Sequence, residues 1–431
     1  MLHSGMDYLY SRLMFGMVPG LESTRKLCDA LGNPQKKFKT IHIVGTNGKG
    51  STSYYLAGIL TIHGFKTGLF TSPHLVSLRE RIRVDDVPIG EADLERLLLK
   101  VEKAAAQVQV EPTFFEVLTL VAFLYYAEQG VDVVSMEAGM GGRMDSTAVA
   151  GGDIVVLTSI GLEHTEVLGP TEEAILLEKM AIAEADSGKK TFIVGGLSEK
   201  LLLEARRYAQ SRHDEFLKPA VRDNVELPNL GHHYIENASL SLAAAERFIR
   251  DNGSAAYNDA LALSALKKLS WAGRMQKLVD AQGRVRFLLD GAHNSHAVRR
   301  LAETLDRYYH GCKFHCVFGA LKDKDVDEML RLMAPFVSHW HITKTPYPRF
   351  RELDDLRSQL QALGLKVSSE GELNRAFLDS VDAESLNEGA SVPVLVTGSL
   401  YMIGETVQAL KNDYDALAFF RGMDPTTNEH R

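Results

Sequence analysis

Cysteine is scarce in this chain. Cys28, Cys312 and Cys316 are its only three in 431 residues. That number cannot build a disulfide framework, and an odd count in a chain of this length points to a reducing compartment. Long apolar runs are also missing. The longest, "VLTLVAFLYYA" at 117–127, is well short of the roughly 20 residues a membrane helix needs. The opening stretch "MLHSGMDYLYSRLMFGMV" lacks a secretory pattern because Arg12 interrupts its apolar run. A soluble cytoplasmic protein with no membrane partner is expected. Basic excess is absent too: 48 Lys and Arg face 56 Asp and Glu, for a net charge of −8. A general nucleic-acid binder is thereby disfavoured, and any anion site must be local. No low-complexity tract and no period of 20 to 50 residues is seen, so a repeat architecture is not expected.

The chain does have ample core material, with 45% hydrophobic and 24% charged residues. Its length exceeds what one hydrophobic core usually serves, so two domains are expected. Short apolar runs alternate with amphipathic patterns from Thr40 to about Gly195, the signature of βαβ units. Strands are expected at 40–44, 66–70, 131–136 and 153–159. An irregular or sheet-like stretch follows at 211–232, then a helix from Asn237 to Ile249. The alternation resumes with strands at 285–289, 313–318, 337–343 and 393–398, which puts a domain boundary near residue 270.

The most informative stretch is "IHIVGTNGKGST" at 41–52. Glycines there let backbone N–H groups approach phosphate, and the helix that follows adds its positive end. In this reading Lys49 neutralises β/γ-phosphate charge and the Ser51 hydroxyl ligates magnesium. The fit to G-x-x-x-x-G-K-[ST] is imperfect, because Ile43 stands at the first glycine and Gly50 is inserted after Lys49. A plain glycine-rich strand-to-helix turn is the competing reading. "VDVVSMEAGMGGRMD" ends an apolar strand at Glu137, either a magnesium-reaching acid at the sheet's carboxyl edge or a surface glutamate opening a glycine turn. Glu163 and His164 follow the next strand. Lys179 shares a helix face with Ile175, Leu176, Ile182 and Ala183. From pattern alone such a lysine snorkels; if buried, its neutral amine could take up CO₂ as a carbamate, an anionic oxygen ligand. Thr113-Phe114-Phe115-Glu116 fits a capping box, and Asn294 an N-cap.

Taken in order, "GLESTRKLCDALGNPQ", "IHIVGTNGKGSTS", "FTSPHLVSLRERIRV", "TFFEVLT", "EAGMGGRMDST", "TSIGLEHTEVLG", "LEKMAIA", "GHHYIENASLSLAAAE", "WAGRMQ", "LLDGAHNSHA" and "VTGSLYMIGE" make the chain resemble the folylpolyglutamate synthase and dihydrofolate synthase family of the Mur ligase superfamily. The likeness runs from about residue 7 to about residue 410. It implies an α/β protein with an N-terminal P-loop ATPase-like domain, mostly parallel in its sheet, over 1–270. A smaller C-terminal Rossmann-like α/β glutamate ligase domain would occupy 271–431.

The implied reaction is ATP-dependent addition of L-glutamate to a folate such as tetrahydrofolate, and to dihydropteroate, through an acyl phosphate. Carried over by position, Asn47, Gly48, Lys49, Gly50, Ser51 and Thr52 hold ATP phosphates. Ser51, Glu137, His164 and Lys179 serve two Mg²⁺ sites, with Lys179 carbamylated and K⁺ a further cofactor. Asn237 meets adenine, and Arg274, Asp290 and His293 reach ATP from the second domain, Asp290 at ribose and His293 near the transferring phosphate. Ser72, Pro73, His74 and Phe115 shape the pterin site. Lys49, Lys179, His164 and His293 are the expected catalytic residues. Departures from the family pattern are Glu163 for Asp, Met180-Ala181 for Ala-Gly, Ser295 for Pro and His233 for Gln. The rival readings are a Mur-type UDP-sugar-peptide ligase, a non-catalytic nucleotide-gated binding protein and a zinc module built from His310, Cys312, His315 and Cys316. A monomer is expected.

Overall fold

The structure is a computed structural model that describes residues 4–12, 20–252, 256–389 and 392–411. Residues 412–431 and part of the opening stretch therefore lie outside the described residues. The chain separates into two compact units. The first holds residues up to His74, Leu78–Leu227 and Tyr234–Leu269. The second holds Leu75–Ser77, Pro228–His233 and the residues from Ser270 onward.

Eight strands of the first unit form one sheet: β1 Lys39–Val44, β2 Thr67–Phe70, β3 Ile82–Val84, β4 Val87–Pro88, β5 Val133–Glu137, β6 Ile154–Leu157, β7 Thr191–Val194 and β8 Glu215–Leu217. Their order is β4-β3-β2-β5-β1-β6-β7-β8. Pairing is parallel from β2 to β8, and only β2–β3 and β3–β4 are antiparallel. β2, β5, β6 and β7 are buried at every residue, and β1 at all but Lys39. They read as unbroken apolar runs because a parallel sheet is covered on both faces. The helix Phe114–Gln129 is apolar almost all round, which fits its place inside the core rather than at a surface. No described helix is long and apolar enough to cross a membrane. The capping box expected at Thr113 and Glu116 opens this helix.

β1 sits between β5 and β6, with Ile43 level with Glu137 and Val44 level with Leu157. Three strands thus end together at the carboxyl edge, on either side of the point where the chain reverses its direction of winding. Open α/β sheets bind ligands at such a point.

The second unit's sheet comprises β9 Gln276–Val279, β10 Val285–Asp290, β11 Phe314–Phe318, β12 Val337–Lys344, β13 Val367–Glu372 and β14 Val394–Thr397. Its order is β13-β12-β11-β14-β10-β9, parallel except for β9 against β10. Asn294 caps the helix Ser295–Tyr308, as its position implies.

Candidate active site

The loop after β1 runs Gly45 to Gly48, and the helix Lys49–Ile62 begins at the lysine. Two of its glycines are required by geometry. Gly45 has φ 147° and Gly48 φ 88°, both on the positive side that side chains avoid. A Cβ on Gly45 would stand 2.0 Å from Thr158 Oγ1, and one on Gly48 2.6 Å from Asn237 Oδ1. The loop is braced by the chain that leaves β6. Thr46 N donates to Ser159 O at 2.7 Å. Thr158 Oγ1 and Ser159 Oγ both donate to Asn47 O, at 2.7 and 3.0 Å. Thr46 Oγ1 donates to Gly161 O and accepts from Gly161 N, each at 3.1 Å.

Lys49 folds over its own loop, with Nζ 2.9 Å from Gly45 O and 3.0 Å from Thr46 O. Ser51 is buried and accepts from Asn237 Nδ2 at 2.9 Å. That contact ties the phosphate loop to the helix His232–Asn252, and Ser241 of the same helix donates to Thr52 O at 2.9 Å. Gly50 lies in the first turn beside Lys49.

Glu137 ends β5 as a buried carboxylate and accepts from Ser72 N at 3.0 Å. Ser72 precedes Pro73 through a cis peptide. His74 is buried and accepts at Nδ1 from Arg81 Nε at 2.9 Å. Phe115 packs against Phe70 with ring centroids 5.8 Å apart. It also closes on Gly139, where a Cβ would meet the ring at 2.5 Å. The phosphate loop, the Glu137 edge and the Ser72–His74 segment are thereby linked around one sheet edge.

Lys179 does not snorkel, which corrects the reading from helical pattern alone. Its side chain is 1% exposed. Nζ donates to Gly45 O at 2.9 Å and to Glu163 Oε1 at 2.7 Å, so polar partners inside the fold replace the solvent it would otherwise seek. Burial lowers the Lys179 pKa to about 8; Glu163 works against this and Lys49 adds to it. Burial alone would raise the Glu163 carboxyl, but Lys49 and Lys179 outweigh it and hold the group below its usual range. His164 follows directly, exposed and left-handed at φ 46°, at the start of Thr165–Leu168.

In the second unit, Asp290 ends β10 and is buried, accepting from Ala292 N and Met275 N, each at 3.0 Å. Arg274 Nη1 donates to Gly273 O at 3.1 Å, and His293 Nδ1 lies 2.8 Å from Gly291 O. Asn229, which sequence reasoning missed, pins this corner. Its side chain accepts from Trp271 N at 3.1 Å and donates to Arg274 O. No local motif marks it, because its partners lie more than forty residues away. Thr158, Ser159 and Ser241 escaped notice for the same reason. The zinc set is not assembled. Among the described residues, the groups with converging donor atoms include His315 but neither cysteine. Cys316 is the next residue on a buried strand and so faces the other side of the sheet.

Comparison with known proteins agrees with this architecture. Residues 43–213 match the Mur ligase middle domain and residues 273–400 the Mur ligase glutamate ligase domain. The fold and site define an ATP-dependent amide-forming ligase of the Mur type. The dihydrofolate synthase/folylpolyglutamate synthase of Bacillus subtilis is 34% identical over 431 residues, covering 94% of this chain and 98% of that protein. The Escherichia coli protein of the same name is 31% identical over 430 residues, covering 95% of each. The Mycobacterium tuberculosis folylpolyglutamate synthase complexed with ADP and AMPPCP superposes with a TM-score of 0.80 at 26% identity, covering 97% of both chains. Escherichia coli FolC in complex with DHPP and ADP gives 0.79 at 26% identity, covering 94% of this chain and 96% of that one. The chain belongs to the dihydrofolate synthase/folylpolyglutamate synthase family.

Proposed function

We propose that this protein uses ATP to join L-glutamate to a folate carboxylate, and that the same site converts dihydropteroate to dihydrofolate. The supporting observation is a phosphate-type loop whose lysine and serine lie at one sheet edge with a buried carboxylate, next to the Ser72–His74 segment. The carboxylate substrate is phosphorylated, and the glutamate amine displaces phosphate from the acyl phosphate to form the amide. Phosphoryl transfer of this kind depends mainly on positioning and charge stabilisation.

The first unit is assigned ATP and folate binding, and the residues from 271 on the glutamate ligase role. Asn47, Gly48, Lys49, Gly50, Ser51 and Thr52 cradle phosphate, with Lys49 leaving its loop carbonyls for the anion. Asn237 is assigned to adenine, which requires its amide to leave Ser51. Arg274, Asp290 and His293 are assigned to ATP, with Asp290 at ribose and His293 close to the transferred phosphate. Ser72, Pro73, His74 and Phe115 form the pterin-side wall.

The donor set suits Mg²⁺. Glu137 is an anionic oxygen donor and Ser51 a hydroxyl at the helix start, the hard oxygen ligands that ion prefers. His164 completes the assigned ligands. When bound, the ions would neutralise charge on the phosphates. Lys179 as a free amine pairs with Glu163 and is no ligand for a cation. Its depressed pKa raises the neutral fraction that reacts with CO₂, and the resulting carbamate supplies an oxygen donor. K⁺ is the further cation assigned by family likeness. We assign a cytoplasmic location and a monomeric state on the same ground.

The test is phosphate release from ATP with Mg²⁺ and L-glutamate, offered dihydropteroate or tetrahydrofolate separately, with product masses recorded. Glutamylated products from both establish the bifunctional reading. Tetrahydrofolate products alone restrict it to chain extension. No turnover with either acceptor, while ATP still binds, refutes it.

A further inference from the structure

The second unit gathers three histidines and two glutamates that the proposed reaction does not use. His315 on β11 is level with His339 on β12, and their rings stack with centroids 4.2 Å apart. His341, two residues further along β12, faces the same side. Glu384 and Glu388 lie four apart at the end of the helix Arg375–Asn387 and meet these imidazoles. His315 and His341 are buried to 3% and 0% exposure. Two carboxylates at this helical spacing repel each other.

We propose that His315, His339 and Glu388 form a Zn²⁺ site, with His341 and Ser369 orienting His315. The set of two imidazoles and one carboxylate is a common zinc donor set that leaves the fourth position for water. Glu388 Oε2 lies 3.1 Å from His315 Nε2 and 3.5 Å from His339 Nε2. Tetrahedral donors about 2.0–2.1 Å from zinc stand roughly 3.4 Å apart, so these separations bracket the required edge. All three donor atoms lie within 4.8 Å of one another. The His315 and His339 rings stack with only 16° between their planes, so binding one ion requires the more exposed His339 ring to turn out of the stack.

The surrounding hydrogen bonds suit this role. A histidine that ligates through Nε2 carries its proton on Nδ1 and donates it to a fixed acceptor. His315 Nδ1 lies 3.1 Å from His341 Nε2, and His341 Nδ1 lies 2.7 Å from Ser369 Oγ. Two tautomer assignments satisfy the chain. In one, His315 Nε2–H donates to Glu388 while Ser369 and His341 donate inward; in the other, His315 Nδ1–H donates to His341 and His341 Nδ1–H to Ser369 Oγ, which leaves the His315 Nε2 lone pair facing Glu388 and is the form a bound cation would select. The partners of His315 come from the next strand and a distant helix rather than from its neighbours in sequence.

The test is a Zn²⁺ titration of the full chain with Mg-ADP present in excess, so that the nucleotide edge is occupied. Zinc retained after gel filtration is counted, and Co²⁺ is used as a visible-absorption probe. The expected result is one Zn²⁺ per chain and the intense visible bands of four-coordinate Co²⁺. Glu137→Gln should retain this ion, whereas His339→Ala and Glu388→Gln should weaken it by about ten-fold or more. Glu388 is a half-exposed helix C-cap, so E388Q keeps its fold, checked by circular dichroism, if H339A does not. No retained zinc in the wild type, unchanged affinity in E388Q, or loss of the ion in E137Q would each overturn the proposal.

Discussion

At the residue scale, the distinctive group is Lys179, a buried amine between Gly45 O and the Glu163 carboxylate. Removing it should affect chemistry more than folding. Lys179→Ala is expected to reduce turnover by at least about 100-fold, and short carboxylates such as acetate should restore part of it by standing in for the oxygens of the proposed carbamate. Phosphate release with and without added acetate checks this, and no rescue would argue that the amine itself is the working form. Glu163 raises the Lys179 pKa, so Glu163→Gln should lower it further. The pH at which bicarbonate stimulates turnover should then move down, which pH profiles at fixed bicarbonate would show. These residues were partly legible in sequence. The apolar neighbours of Lys179 place it on an apolar face, from which snorkelling is the expected outcome; the acceptors that keep it buried lie 134 and 16 residues away, and no periodicity reveals them.

At the element scale, the phosphate loop is held by the segment after β6 as well as by its own Lys49. Gly45→Ala combines a positive φ with a Cβ 2.0 Å from Thr158 Oγ1. It should cost more than about 2 kcal/mol, the range of strained or overpacked sites, and urea unfolding measures it. The capping box at Thr113 is more ordinary, although Glu116 also accepts from Thr24 Oγ1 at 2.9 Å. Thr113→Ala should cost about 1 to 2 kcal/mol, read in the same experiment. Most strands were legible because their runs are continuously apolar. Those missed include β3 and β4, three and two residues long, β9 and β13, which alternate in exposure, and β7, a fully buried run of only four residues. The helix at 237–249 begins earlier, at His232, because "GHHYIEN" carries no strong start signal.

At the scale of the whole molecule, acid stability should bear the mark of a buried neutral histidine. His42 on β1 is 2% exposed, and burial lowers its pKa to about 4; Lys190 adds to the shift, while a Gly151 backbone contact and Asp186 oppose it. Between pH 4 and about 6.5 the unfolded chain binds a proton that the folded chain does not, so stability rises with pH across that window and falls on acidification. This group contributes at most about 1.4 kcal/mol per pH unit. His42→Phe should flatten that limb of the melting-temperature profile, and an unchanged slope would assign the acid lability to other groups.

Sequence alone determined the α/β class, the phosphate loop and its unusual glycine insertion, the helix caps at Thr113 and Asn294, and the family resemblance. Each of these is written in residues close along the chain, where backbone propensity, apolar period and local hydrogen bonding act. Tertiary structure alone decided which distant groups meet. It showed that Lys179 pairs with Glu163 instead of reaching solvent, that Asn237 holds Ser51, that Asn229 pins the Trp271–Arg274 corner, and that His315 finds its partners on β12 and a helix end. Those pairings depend on strand order and burial, and water is excluded only once the chain has closed around them.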